Sequence, residues 1–258
     1  MKTGCSCQVS SPIFRPRRPP ASRIAEQGSS GYGGGKMIHR LERWAWWGGA
    51  LLAAIAGIVN AVGLQSYAHQ AVTHVTGTTS LFTQALATHD RMGISQLGLV
   101  LGSFVLGAML SGFIIRNSVL KLGRRYGVAL FIESILLLIA SALMNSHLVV
   151  GSYFASAACG LQNAMASTYS GTVLRTTHLS GMFTDCGAAM GHLLRGTPVD
   201  WIRVRLSLLV IGSFSTGGVI GSLLFPLFGP ATLYLPAALT GGVAILYTTY
   251  AHARRQRA

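Results

Sequence analysis

Residues 46–65 read WWGGALLAAIAGIVNAVGLQ, a run of twenty residues without a charged side chain. A helix of about 20 apolar residues is long enough to cross the roughly 30 Å hydrocarbon core of a bilayer. Five further runs, nearly free of charge, follow at residues 96–115, 127–144, 148–168, 206–228 and 231–250. The sequence therefore predicts an all-α, polytopic membrane protein with about six transmembrane helices.

The composition agrees with a bilayer as the solvent of this chain. Half of its 258 residues are hydrophobic and only 10% are charged, whereas about a quarter of the residues of a soluble domain are charged. The four cysteines form no CxxC pair and have no zinc-ligand spacing with histidine. Nucleotide, nucleophile-elbow and HExxH motifs are also missing from the sequence. We therefore expect no cofactor, no metal site and no disulfide framework.

The basic residues indicate which way the helices point. With six spans, every one of the 20 Lys and Arg residues except Arg91 falls in a segment on the same side. Cytoplasmic segments carry such an excess of positive charge. We therefore expect a protein of the plasma (inner) membrane with both termini in the cytoplasm. The net charge of +14 follows from this bias, so no nucleic-acid partner is indicated.

Both ends of the chain lack the composition of a packed domain. Residues 1–36 are rich in Pro, Ser, Gly and Arg, and this composition predicts a disordered basic tail. The codons of Gly33 to Lys36 would form a purine-rich stretch before the Met37 codon, so translation starting at Met37 is an alternative interpretation. Residues 253–258 are interpreted as a short basic cytoplasmic tail.

Three blocks of the first half return in the same order in the second half. Gly57-Ile58-Val59-Asn60-Ala61 resembles Gly160-Leu161-Gln162-Asn163-Ala164, Thr73-His74-Val75-Thr76-Gly77 resembles Thr177-His178-Leu179-Ser180-Gly181, and Gly102-Ser103-Phe104 resembles Gly212-Ser213-Phe214. The pattern predicts two repeats of three helices, at residues 37–145 and 146–252. Because three is odd, the second repeat enters the membrane from the opposite side. Inverted repeats with broken helices are typical of secondary transporters.

The repeated blocks, together with Arg175 to Asp185, resemble the YoaK-like family of bacterial membrane proteins. The resemblance covers roughly residues 40–250. It implies a multi-spanning protein of the bacterial inner membrane and implies no particular activity. Thr78 occupies a position where the family commonly has Asn, and Ser180 replaces a Thr.

Polar side chains at membrane depth are candidate functional residues, because an unpaired polar group there is costly. Asn60 and Asn163 occupy equivalent positions of the two repeats, and we expect them either to line a shared substrate site or to hold helices together. His74 with Thr76 and Gly77, and His178 with Ser180 and Gly181, form the second pair of candidates. Gly and hydroxyl residues favour a break and a new helix N-terminus there, which suits an anionic or carbonyl-bearing ligand. The alternative is an ordinary loop with a capped interfacial helix.

Two acidic residues are candidates for a proton or ion relay. Glu133 lies about 10 Å inside the third span, where its carboxylate either takes part in a relay or pairs with Arg124 or Arg125. Asp185 is seven residues from both His178 and His192, so one helix face carries all three. Seven residues span about 10.5 Å, too far for one metal ion, and the alternatives are a proton-conducting stripe and a solvated face.

These observations favour a secondary transporter or channel for a small solute or ion, with the lipid bilayer as the surrounding partner. A membrane-embedded enzyme or an assembly scaffold that uses residues 178–192 is the alternative. No catalytic residue is predicted, and the sequence leaves the oligomeric state open.

Overall fold

The computed structural model describes residues 43–66, 72–115, 124–170 and 175–255, and no strand occurs among them. Within these ranges the predicted all-α fold is confirmed. The predicted tail 1–36, the alternative start at Met37 and the last three residues of the tail 253–258 lie outside the described residues.

The described residues form eight α-helices and one 3₁₀ helix. In chain order these are α1 (Arg43–Gln65), α2 (Val75–Ala87), α3 (Arg91–Ile114), α4 (Arg124–Asn145), α5 (Val150–Ser170), α6 (Leu179–Leu194), α7 (Trp201–Phe228), the 3₁₀ helix (Gly229–Leu233) and α8 (Tyr234–Arg255). The six long helices coincide with the six apolar runs, and their ends differ from the predicted ends by at most five residues. The short helices α2 and α6 begin directly after His74 and His178.

Four stretches are long and apolar enough to cross a membrane: Ala45–Gln65, Arg91–Ile114, Arg125–Asn145 and Trp201–Thr249. The last of these contains both α7 and α8, which the 3₁₀ helix separates. Helix α5 is not among the four, although it has 21 residues. Most of its residues are buried among other helices, including Ser152, Ser156 and Gln162, so its surroundings do not require an apolar surface.

Large apolar side chains cover much of the outer surface. Phe113, Leu194 and Leu223 are 86%, 89% and 68% exposed. A soluble monomer rarely exposes wide apolar patches, whereas lipid tails are a favourable environment for such side chains. The exposed apolar residues and the four apolar stretches together identify a polytopic membrane protein.

Asp90 and Asp200 fix the starts of the two helices that carry the Gly-Ser-Phe blocks. The carboxylate of Asp90 accepts a hydrogen bond from the backbone N–H of Met92 (3.1 Å). The carboxylate of Asp200 accepts from the N–H groups of Ile202 and Arg203 (both 3.2 Å). A side-chain oxygen at the N-cap satisfies an N–H group that the helix leaves free, so α3 and α7 begin in the same way.

Helices α1 and α7 cross at close range. A Cβ atom on Gly57 would overlap the carbonyl oxygen of Phe214, and one on Gly217 would overlap the carbonyl oxygen of Ala54. The missing side chains let the two backbones touch, as small residues do in membrane helices. Further along, Gly221 faces Ile58. From the contact of Gly217 with Ala54 to that of Gly221 with Ile58, both residue numbers rise by four, so α1 and α7 run parallel.

Helices α3 and α5 pack in the same manner. A Cβ atom on Gly160 would overlap the carbonyl oxygen of Phe104, and one on Gly107 would overlap that of Ala157. The hydroxyl of Ser156 donates a hydrogen bond to the Val100 carbonyl (2.9 Å). From the contact of Val100 with Ser156 to that of Phe104 with Gly160, both residue numbers rise by four, so α3 and α5 run parallel.

Helices α4 and α8 pair in the opposite sense. The Ser134 hydroxyl donates to the Ala237 carbonyl (2.7 Å) and the Ser141 hydroxyl donates to the Pro230 carbonyl (3.1 Å). Higher positions in one helix thus contact lower positions in the other, which makes the pair antiparallel. Helices α2 and α6 lie against α3 and α7, respectively.

Candidate functional site

Asn60, near the end of α1, holds the segment that leads into α2. The hydroxyl of Thr73 donates a hydrogen bond of 2.7 Å to the side-chain oxygen of Asn60. Both residues are buried, so each polar group finds its partner inside the protein. We call this contact, and its counterpart described next, an Asn–Thr bridge. The first bridge fixes residue 73 against α1 two residues before α2 begins.

Asn163 of α5 makes the second Asn–Thr bridge. The Thr176 hydroxyl donates to the Asn163 side-chain oxygen (3.0 Å), and the backbone N–H of Thr177 donates to the same oxygen (3.3 Å). The amide nitrogen of Asn163 donates in turn to the Thr177 hydroxyl. In both bridges the asparagine and the first threonine are thirteen residues apart. The segments that lead into α2 and α6 are therefore held in the same way.

The two asparagines do not meet in one site. The side chain of Gln162, the neighbour of Asn163, donates to the Leu52 carbonyl of α1 (2.9 Å). Asn60 lies eight residues after Leu52, which is about 12 Å along the helix axis. The two predicted roles were a shared substrate site and the holding together of helices. The structure gives each asparagine a partner in its own half and does not bring the two asparagines together.

Histidine occupies the N-cap position of both short helices. Neither His74 nor His178 makes a side-chain capping hydrogen bond, unlike Asp90 and Asp200. The first-turn residues Thr76, Gly77 and Ser180 are exposed, and Gly181 is half-buried. The free N–H groups of a helix start carry a partial positive charge, so both segments present donors to an incoming acceptor.

The two imidazoles have different surroundings. The ring of His74 packs edge-on against Phe214 of α7, with ring centroids 5.8 Å apart. His74 lies in the segment that connects α1 to α2, outside the spanning stretches. Burial lowers its pKa, so the ring is uncharged at neutral pH. The His178 ring instead lies over Gly181, where a Cβ would come within 2.5 Å of its Cδ2 atom. Because Gly181 has no side chain, the His178 ring fits against the first turn of α6.

Glu133 is enclosed in the helix bundle. Its side chain is 1% exposed, and its Oε2 atom has no hydrogen-bond partner. The buried thiol of Cys159 on α5 lies near the Glu133 carboxyl. The part of the chain that the structure describes contains no ion pair to Glu133, and Arg125 is exposed at the start of α4. Arg125 therefore does not pair with Glu133, and the side chain of Arg124 lies outside the described residues.

Asp185 forms an ion pair instead of joining the histidines on its face. Its carboxylate accepts from the Nε of Arg203 on α7 at 3.1 Å. His192 contacts the Thr197 hydroxyl through Nδ1 at 3.0 Å, and His178 lies at the other end of α6. Across the four described ranges no three His, Cys, Asp or Glu side chains converge on a metal position.

Sequence reasoning missed the partners of these residues. Thr73 and Thr176 complete the Asn–Thr bridges, Phe214 supports His74, and Arg203 pairs with Asp185. A usable signal for the threonines was present, since each follows its asparagine by thirteen residues. Phe214 belongs to the repeated Gly-Ser-Phe block, which marks the residue without indicating its partner, and no sequence signal marks Arg203. Both contacts depend on how α7 packs.

Comparisons with known proteins place the chain in a family without assigning it an activity. No match is found among curated proteins or among solved structures. The family described as "Protein of unknown function (DUF1275)" matches residues 48–246. That range holds both Asn–Thr bridges, both short helices and Glu133. The chain therefore belongs to the DUF1275 family.

Proposed function

We propose that this protein is a secondary transporter or channel for a small solute, built from two inverted three-helix repeats. The single observation that carries the proposal is the pair of Asn–Thr bridges, each holding an uncapped helix start beside a histidine. Broken helices with free N-termini inside the membrane are how many transporters bind anionic groups of their substrates. The proposal places the lining of the substrate path at Thr76, Gly77, Ser180 and Gly181.

Matched contacts support the repeat. The contact of Gly57 with Phe214 has its counterpart in that of Gly160 with Phe104, and the contact of Gly217 with Ala54 has its counterpart in that of Gly107 with Ala157. Each partner occupies the position that the sequence repeat assigns to it. The Asp90 and Asp200 caps add a third correspondence.

The helix directions support the inversion. Helices α4 and α8 are the third helices of the two repeats, and they run antiparallel. Helices α1 and α5 are the first helices of the two repeats. Leu52 contacts Gln162, and the later Val59 shares a buried cluster with the earlier Ala155. Higher positions in α1 therefore lie near lower positions in α5, so these helices also run antiparallel. With the positive-inside bias of Lys and Arg, this arrangement favours both termini in the cytoplasm of a cell with the protein in its inner membrane.

The substrate class follows from the chemistry of the helix starts. Backbone N–H donors, hydroxyls and an uncharged imidazole at His74 suit a small solute with a carboxylate, phosphate or carbonyl group. No Lys or Arg lies within Thr73–Gly77, so the start of α2 supplies the positive potential itself. Arg175 precedes the second segment and adds a positive charge there.

The test is a thermal-shift screen of the purified full-length protein with a panel of small carboxylates, phosphates and neutral amides. Flux of each stabilising solute is then measured in liposomes. Gly77→Ala is the test variant, because a Cβ there meets nothing within 4 Å, so the fold tolerates it while the methyl group covers the helix start. Gly102→Ala is the matched control, with the same free space on α3.

We expect a stabilising solute that crosses the liposome membrane, with binding and flux reduced at least several-fold in Gly77→Ala and unchanged in Gly102→Ala. A solute that binds without flux would refute transport and favour the membrane enzyme or scaffold. Equal behaviour of the two variants would refute the placement of the site.

A further inference from the structure

Glu133 lies where the two halves of the chain meet. The next residue, Ser134, donates its hydroxyl to the Ala237 carbonyl of α8. Leu137, one turn further along α4, belongs to the same buried cluster as Val59 of α1 and Cys159 of α5. The carboxyl therefore sits among helices from both repeats, and water has almost no access to its side chain, which is 1% exposed.

The elements packed around Glu133 supply no positive charge. Cys159 is the titratable group that acts on it from α5. Helix α8 presents Ala237 and Thr240 at this level, and the Thr240 hydroxyl is already bonded to the Pro236 and Ala237 carbonyls. Helix α1 contributes apolar side chains such as Val59. The nearest tyrosines, Tyr126 and its neighbour Tyr247, lie about two turns of α4 away.

A carboxylate in such a place has no compensation for its lost hydration. Moving an unpaired ionised group into an apolar interior is so costly that the group becomes neutral instead. The Oε2 atom has no hydrogen-bond partner, so no donor stabilises a negative charge on it. We propose that Glu133 is a proton-binding site at the contact between the two halves, occupied in the conformation described here.

A proton suits this site better than a metal cation does. Sodium, magnesium and calcium need several oxygen ligands around them. The buried cluster beside Glu133 includes the thiol of Cys159 and the apolar side chains of Val59 and Leu137. The Ser134 and Thr240 hydroxyls donate to backbone carbonyls. One carboxyl group without further oxygen ligands can hold a proton and cannot coordinate such an ion.

The site has a consequence for transport, and this consequence alone rests on the proposed function. Loss of the proton would leave a charge between the repeats and favour an arrangement that lets water reach Glu133. Proton occupancy would then bias the relative position of the halves, which makes the proton the coupling ion of the transporter.

Infrared difference spectroscopy of the full-length protein in lipid nanodiscs tests proton binding without any substrate. The buffer is changed from neutral to alkaline, a range in which exposed carboxyl groups are already ionised. The background is favourable, because the chain has only six Asp and Glu residues. The wild type should lose a protonated-carboxyl C=O absorption, and Glu133→Gln should lack that change. Asp185→Asn, which removes an exposed paired carboxylate, should behave as the wild type.

A second measurement guards against a folding defect. Thermal unfolding is followed over the same pH range, and the wild type should lose more stability with rising pH than Glu133→Gln and Glu133→Leu do. Identical spectral changes in the wild type and Glu133→Gln would overturn the proposal, as would an equal alkaline loss of stability in both. Neither result depends on flux, so a failure of the transport proposal is recognised separately.

Discussion

Replacing Gly217 by alanine tests a close contact between two helices, that of α7 with α1. The new Cβ would lie 2.7 Å from the carbonyl carbon and 2.8 Å from the Cα atom of Ala54, whereas ordinary contact begins at 3.4 Å. The obstacle is backbone, which cannot rotate away as a side chain can. The carbonyl oxygen of Ala54 is closer still, so helices α1 and α7 must move apart at this crossing.

The expected cost follows from overpacking, which typically destabilises a core by about 1–3 kcal/mol. Alanine also favours helix over glycine by about 1 kcal/mol, so a control with the same substitution is needed. Gly212→Ala is that control, since it lies on the same helix and its Cβ meets nothing within 4 Å. The helix-propensity gain is common to both variants and cancels, so Gly217→Ala should be less stable than Gly212→Ala by about 1–3 kcal/mol.

The assay is thermal unfolding of the purified proteins in one detergent. Each kcal/mol corresponds to roughly 2–4 °C for a protein of this size. Gly107→Ala, which meets Ala157 in the other half, should show the same loss. Equal midpoints for Gly217→Ala and Gly212→Ala would refute the close crossing of α1 and α7.

Three further predictions concern polar residues. Asn163→Leu should destabilise the protein by about 1–3 kcal/mol. The loss should exceed that of Asn60→Leu, because Asn163→Leu removes three hydrogen bonds and Asn60→Leu removes one. The unfolding midpoints of both variants check this order. Asp185→Asn should change stability by only roughly 0–1 kcal/mol, since both partners of its ion pair are about a third exposed or more, and a larger change would contradict this. Because burial lowers the pKa of His74, protonation favours unfolding, so stability should be complete above about pH 6.5 and fall below it. His74→Phe should weaken this acid-side loss in a pH series, and an unchanged profile would count against the assignment.

The sequence predicted the helices well because a bilayer imposes a simple requirement on length and polarity. The apolar runs gave the six long helices to within a few residues, and the breaks at His74 and His178 coincide with new helix starts. The sequence did not separate α5 from the others. Its polar residues, such as Gln162, are acceptable because neighbouring helices bury them, and burial by neighbours cannot be read from one run.

Side-chain partners were harder to predict, for a related reason. Helix α4 is apolar on every side except at a few serines and Glu133, so its sequence does not indicate which face meets α5 and α8. Proximity along the chain suggested Arg124 or Arg125 as partners of Glu133, whereas the carboxyl faces the bundle. Asp185 likewise seemed grouped with His178 and His192 along α6, and its actual partner, Arg203, comes from the next helix.

The glycine crossing of α1 and α7 also bears on the order of biosynthesis. Gly217 is separated from Ala54 by more than half of the chain, so the ribosome releases α1 into the bilayer long before α7 exists. During that interval the notch at Gly57 is open to lipid or to the insertion machinery. The native crossing is thus a late step, and nascent chains that stop before residue 217 would leave α1 without its contact to α7.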